Sequence, residues 1–126
     1  MKHFTMAELT RSATARAKGL DNTPTAEHRS NIEMSVAQLL DPLREAWAVK
    51  CANEQWSTPA IRVSSGYRGF ALNKAVGGSV TSAHCVGFAF DLVPCNGRMA
   101  DFKRFCRTWL RGRAFDQMIS EDEDAA

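Results

Sequence analysis

The chain has 126 residues, 44% of them hydrophobic and 24% charged, with 16 Lys and Arg against 14 Asp and Glu for a net charge of +2. That length holds one compact core and not two, the composition is that of an ordinary globular domain, and no apolar run approaches the roughly 18 residues a membrane span needs. Four of the acids stand together at 121–124, so residues 1–120 carry 16 basic against 10 acidic residues, a surplus that suits an anionic polymer; no basic stripe with interleaved aromatics accompanies it, which argues against nucleic acid as the main partner.

The N-terminus, Met-Lys-His-Phe-Thr-Met-Ala-Glu, lacks the long apolar core of a secretory signal, so the chain is expected in the cytoplasm as synthesised. Thr5-x-x-Glu8 is a capping box that opens a short helix. Ser12 restarts it and Gly19 stops it. Asp21-Asn-Thr-Pro24 reads as a turn, with Thr23 as cap and Pro24 as first residue of a longer helix. Along that helix Ile32, Val36, Leu39, Leu40, Leu43 and Trp47 recur at steps of three and four, a stripe that core packing explains fully. Asp41-Pro42 predicts a kink there, or an end and a restart with Asp41 as the new cap.

Residues 50–58 read as a loop. Pro59-Ala-Ile61-Arg-Val63 alternates as a strand with Ile61 and Val63 inward, and runs into Ser64-Ser65-Gly66-Tyr67-Arg68. Arg68, just past a strand end beside a Gly turn, is placed to reach a cleft, where a guanidinium fork grips a carboxylate; a surface arginine is the plainer alternative. Phe70 to Val76 is a short helix stopped by Gly77-Gly78. After Asp91 the strand finishes at Leu92-Val93-Pro94 and turns at Asn96-Gly97. Met99, Phe102, Phe105, Cys106, Trp109 and Leu110 mark a helix packed on the sheet, and residues 114–119 a further short strand. The four cysteines, Cys51, Cys85, Cys95 and Cys106, show no C-x-x-C pairing. They are expected as free thiols, with Cys51 and Cys106 filling apolar space and Cys85 the chemically interesting one.

The most informative stretch is Ser82-Ala-His84-Cys-Val-Gly87-Phe-Ala89-Phe-Asp91. A neutral imidazole nitrogen and a carboxylate oxygen are donors that a zinc ion takes. A gap of seven is not the one-turn helical pair of H-E-x-x-H but suits a loop that turns at Gly87 and enters a strand bearing Asp91. Phe88, Phe90 and Leu92 then share a core side, and Ala89, Asp91 and Val93 a pocket side. Together with Ser64-Ser65-Gly66-Tyr67-Arg68 and Leu72-Asn73-Lys74-Ala75-Val76-Gly77-Gly78, this stretch resembles the M15 peptidases, zinc enzymes that cut peptidoglycan stem peptides. It looks closest to their small bacterial and phage branch of D-alanyl-D-alanine carboxypeptidase-like and endolysin-type members, over about residues 4–119.

The resemblance implies an α+β domain over residues 1–119, followed by an acidic tail at 120–126. A small antiparallel sheet packs against the N-terminal helices and one later helix, with the metal site on the sheet. It implies His84 and Asp91 as zinc ligands, Arg68 and Ser82 as substrate-binding residues, and action on the cell wall after release or as part of a virion. The family's third ligand is a histidine in a Trp-x-His strand that comes after a Phe-Asp-Gln-like one. Here the histidines are at 3, 28 and 84, and Ile119 is succeeded only by Ser-Glu-Asp-Glu-Asp-Ala-Ala. The expectation is therefore a shortened member lacking its last strand, with Glu121 the nearest candidate for the catalytic acid/base. His3, a tail carboxylate or a second chain are the other sources of a third ligand. A catalytically silent wall-binding or phage structural relative is the alternative function, and the oligomeric state is open.

Overall fold

The computed structural model describes residues 1–79 and 81–111, together with the backbone of 119–121. The order of elements is α1 (Met6–Thr10), α2 (Ala13–Lys18), α3 (Ala26–Ser35), a π-helical turn (Val36–Leu40), α4 (Asp41–Glu54), β1 (Ile61–Ser65), α5 (Phe70–Ala75), a 3₁₀ turn (Ala83–Cys85), β2 (Phe90–Pro94), α6 (Met99–Leu110) and β3 (Ile119–Glu121). This is the α+β layout the sequence predicts, and no helix among the described residues is long and apolar enough to cross a membrane.

Local chemistry sets the first helices. Thr5 and Glu8 complete a reciprocal capping box, with the Glu8 N–H on Thr5 Oγ1 and the Thr5 N–H on Glu8 Oε1. Ser12 caps α2 through the Ala15 N–H, and Gly19 ends it in the left-handed region at φ 66°. The cap of α3 is Thr25 and not Thr23. The Thr23 N–H is taken by Asp21 Oδ1 at 2.9 Å, which extends the turn through Pro24.

Helices α3 and α4 form one continuous rod in spite of Pro42. The Asp41 N–H reaches back five residues to the Val36 carbonyl, a widened turn that lets the chain pass a proline lacking its own donor. Asp41 is accordingly not a helix cap. Its carboxylate instead accepts the backbone N–H groups of Lys2 and His3 at 2.8 and 2.9 Å, tying the N-terminus to the rod. The rod also outlasts the expected boundary at residue 50, ending only at Gln55, which takes the left-handed conformation and donates its N–H to the Ala52 carbonyl.

The apolar stripe of this rod is the core. Ile32, Val36, Leu40, Leu43 and Trp47 have no exposed surface, and they pack with Phe90 and Leu92 of β2 and Phe102 and Cys106 of α6. Trp47 meets Phe102 edge-on at 5.0 Å, with Phe105 at 5.4 Å and Trp56 at 5.8 Å, contacts that add to its area burial. No disulfide joins the four cysteines, and Cys51 and Cys106 are buried in this core.

The sheet has the order β1-β2-β3. β1 and β2 are antiparallel, with Ile61 opposite Pro94 and Val63 opposite Leu92. β3 lies parallel to β2, Ile119 beside Phe90 and Ser120 beside Asp91, so the sheet is antiparallel only across its first pair. A third strand does lie beside β2, at 119–121; of the predicted strand at 114–119, residues 114–118 lie outside the described residues. Phe88 departs from the predicted core face: it is 37% exposed while Phe90 and Leu92 are fully buried. The cause is local, since the Phe88 N–H bonds back to the Ala83 carbonyl at 3.0 Å and regular strand begins only at Phe90.

Candidate functional site

The site is built where two irregular segments, 66–68 and 82–84, are zipped together beside the middle of β2. β1 enters it through a bulge: Val63 faces Leu92 and Ser65 faces Asp91, so two steps on β1 match one on β2. Such a bulge bends a strand and re-aims the residue after it, here Gly66. The chain passes so close to α1 that a Cβ on Gly66 would collide with the Leu9 carbonyl oxygen, and the Tyr67 N–H bonds to that same oxygen at 2.8 Å. The Gly66 carbonyl is thereby left facing His84.

His84 sits in the 3₁₀ turn capped by Ser82, whose hydroxyl oxygen accepts the His84 N–H at 3.2 Å. Its Nδ1 lies 2.8 Å from the Gly66 carbonyl oxygen. A carbonyl only accepts, so Nδ1 carries the proton. In the neutral ring that leaves the Nε2 lone pair free, and Nε2 stands 3.8 Å from Asp91 Oδ1. This gap exceeds a hydrogen bond. Two ligands about 2.1 Å from a tetrahedral zinc would themselves be about 3.4 Å apart, a few tenths of an ångström closer than this pair stands. The Nδ1 proton on a backbone carbonyl is the outer contact that fixes tautomer and ring plane in such centres. The side chains of His84 and Asp91 keep 11% and 25% of their surface exposed, enough for a ligand to reach both.

Arg68 belongs to the same zipper. Its N–H bonds to the His84 carbonyl at 3.1 Å, and its Nη2 donates to Ser82 Oγ at 3.2 Å. The Ser82 oxygen thus takes two donors, leaving its proton as the group it can offer outward. Asn22 braces the underside: Nδ2 donates to the Thr10 and Tyr67 carbonyls at 2.8 and 3.0 Å, and Oδ1 accepts the Gly69 N–H at 2.7 Å. Tyr67 Oη meets His28 Nδ1 at 2.9 Å. Burial pushes the Tyr67 phenol above its usual range, and nearby Cys85 adds to the shift.

The loop bearing His84 is clamped at both ends. Asn73, itself buried, donates to the Gly78 and Ser79 carbonyls at 3.3 and 3.0 Å. On the far side α3 supplies Asn31 to the Val86 carbonyl at 2.8 Å and Ser35 to the Gly87 carbonyl at 2.9 Å. Gly87 is required twice over, by its φ of +90° and because a Cβ would come within 2.8 Å of Ile32 and 2.9 Å of the His28 carbonyl.

The predicted residues therefore fall into groups. His84 with Asp91, and Arg68 with Ser82, are brought together. His3 is held elsewhere, its ring 3.3 Å from Glu45 on α4. Glu121 lies on β3 opposite Leu92, one step beyond the position paired with Asp91; its side chain lies outside the described residues. Among the described residues no third His, Cys, Asp or Glu joins the pair to form a metal-holding group. Cys85 is partly exposed, with its sulfur 3.8 Å from the Ser79 carbonyl.

Sequence reasoning missed the contributions of Gly66, which acts through its backbone carbonyl and has no side chain to signal it, and of Asn22, whose side-chain amide meets backbone groups distant in the chain. It also missed a groove of about 430 Å³ beside the site, lined by Arg11, Arg16, Arg62 and Arg68 together with Ser65 and Gly66.

A small α+β domain that brings an imidazole and a carboxylate together next to a cationic groove has a layout that suits a hydrolase. The sequence as a whole agrees: the Peptidase M15 family model matches residues 2–123. The chain belongs to the M15 peptidase family. No curated protein and no solved structure matches it significantly.

Proposed function

We propose that this protein is a zinc-dependent peptidase acting on the stem peptides of peptidoglycan, with His84 and Asp91 as two of the metal's ligands. The observation that carries the reading is the geometry of that pair: Nδ1 of His84 committed to a backbone carbonyl, and Nε2 facing Asp91 Oδ1 at 3.8 Å. The donor set suits zinc. A bound zinc would polarise a carbonyl and supply hydroxide near neutral pH.

The chain's own groups do the rest. Gly66 holds His84 in its metal-ready tautomer. Arg68, braced by Ser82, offers a planar cation to a substrate carboxylate or to the oxyanion that develops during attack. The Ser82 proton is a further donor toward bound peptide. The acid/base role falls to a carboxylate near the sheet's last strand, where Glu121 is the proposed residue. Zinc bound after dialysis, combined with clearing of a cell-wall suspension with and without chelator, tests the proposal. Chelator-sensitive clearing that disappears in His84→Ala is expected, and full clearing by His84→Ala would overturn it.

One observation favours a second reading. Catalytic zinc usually has three protein ligands, and the described residues offer two. A silent relative that binds wall peptides without cutting them would show peptide binding with no clearing at any zinc concentration.

A further inference from the structure

We infer that the groove beside the metal pair is an extended subsite for peptide segments rich in carboxylates, laid along the free edge of β1, and that Arg11, Arg16 and Arg62 select them. The inference rests on the peptidase reading above and specifies the substrate such a site would take.

Three features lead to it. The first is charge. Arg11 from the link between α1 and α2, Arg16 from α2, Arg62 from β1 and Arg68 from the site line one cavity of about 430 Å³ that contains no Asp or Glu. The structure gives none of these four guanidinium groups a carboxylate partner among the described residues, although Lys2, Arg29, Lys50, Arg98 and Arg104 each have one there. Four cations gathered without counter-charge raise the local concentration of anions. The second is an unmet demand: the Nε–H of Arg68 is buried and has no acceptor among the described residues, and a buried guanidinium donor requires one.

The third feature selects a peptide over other polyanions. β1 is the edge strand of the sheet, paired only with β2 among the described strands, and Val63, Ser64 and Ser65 run along the groove wall. An edge strand presents unpaired N–H and C=O groups to an extended chain, which gives main-chain affinity with side-chain selection at every second residue. The groove meets the metal pair through Ser65, which faces Asp91, and Gly66, whose carbonyl holds His84. A chain seated on β1 is therefore continuous with the reacting centre. Its carboxylates would lie among Arg62, Arg11 and Arg16 while its next bond approached His84 and Asp91.

The test uses the full chain and a fluorescein-labelled peptide of alternating Ala and Glu, its Ala and Gln counterpart, and an oligothymidylate of matching charge, each measured by anisotropy. The Glu peptide should bind the wild type and His84→Ala equally, and weaken with added salt. Its affinity should fall about two- to fivefold for each of Arg11→Gln, Arg16→Gln and Arg62→Gln, and by the largest factor in the triple variant, whose circular dichroism should match the wild type. The Gln peptide should bind much more weakly than the Glu peptide. In hydrolysis the triple variant should raise KM for carboxylate-bearing peptides and leave kcat unchanged. Unchanged Glu-peptide affinity in a folded triple variant, or equal binding of the Gln peptide, overturns the inference. Tighter, arginine-dependent binding of the oligothymidylate also overturns it by assigning the groove to phosphate chains. Loss of zinc and hydrolysis with arginine-dependent peptide binding intact would leave this inference standing and remove the peptidase reading.

Discussion

The rod of α3 and α4 and the zipper of 66–68 with 82–84 hold their shapes by opposite means. Around Trp47 the chain is fixed by many interchangeable apolar contacts, with Phe102, Phe105 and Trp56 all against one indole. Around His84 it is fixed by single hydrogen bonds that have no substitute: one carbonyl for Nδ1, one hydroxyl for the turn, one amide for the Gly69 N–H. Apolar burial is non-directional and sums over area, whereas a hydrogen bond places one atom. The core therefore secures stability, and the zipper secures position at a small share of that stability.

That contrast makes separable predictions. The largest effect on folding should come from Trp47→Ala, about 3–5 kcal/mol by denaturant unfolding; a loss below about 1 kcal/mol would mean that Trp47 is not the centre of the core. His84→Ala should invert the pattern, with little change in unfolding midpoint but zinc affinity lowered by more than about 100-fold. Gly66→Ala joins the two regions. The new methyl collides with the Leu9 carbonyl, which should cost about 1–3 kcal/mol and also weaken zinc by about 10–100-fold through the displaced His84 contact. An unfolding curve that moves without any change in zinc affinity would uncouple them. Ser35→Ala is milder, about 1–3 kcal/mol from the unsatisfied Gly87 carbonyl, with a smaller loss of metal affinity.

The smallest effect concerns pH. Burial raises the Cys51 thiol above its ordinary 9.0 and the Tyr67 phenol above 10.0. Both groups hold their protons more firmly folded than unfolded, so the unfolded chain releases protons first as pH rises. Their contribution is whole below pH 9 and declines as pH climbs through 9 and 10 into the folded range. Urea midpoints from about pH 7 to about 10.5 should fall, and fall less in Cys51→Ala; parallel profiles would remove Cys51 as a cause.

The same contrast explains what was legible in the residues alone. Periodicity reports non-directional packing, so the stripe from Ile32 to Trp47, the inward Ile61 and Val63, and the α6 face could be read directly. Caps with local partners, Thr5 with Glu8 and Ser12 before Gly19, were equally plain. Features that depend on distant chain were not. The widened turn that absorbs Pro42, the capture of the Lys2 and His3 amides by Asp41, and the β1 bulge at Ser64 each require a partner whose position is set by the fold. The spacing of His84 and Asp91 suggested a metal pair, but the carbonyl that orients His84 comes from a glycine with no side chain to signal it. The arginine groove draws on Arg11, Arg16, Arg62 and Arg68, and in the linear charge pattern they look like scattered surface residues.

Whether His84 and Asp91 hold a metal is decided by zinc bound per chain, measured by plasma mass spectrometry after exhaustive dialysis of the wild type, His84→Ala and Asp91→Ala side by side. About one zinc per wild-type chain is expected, with near-complete loss in each variant and circular dichroism unchanged. A wild type that retains no zinc, or variants that retain as much as the wild type, would refute the metal pair.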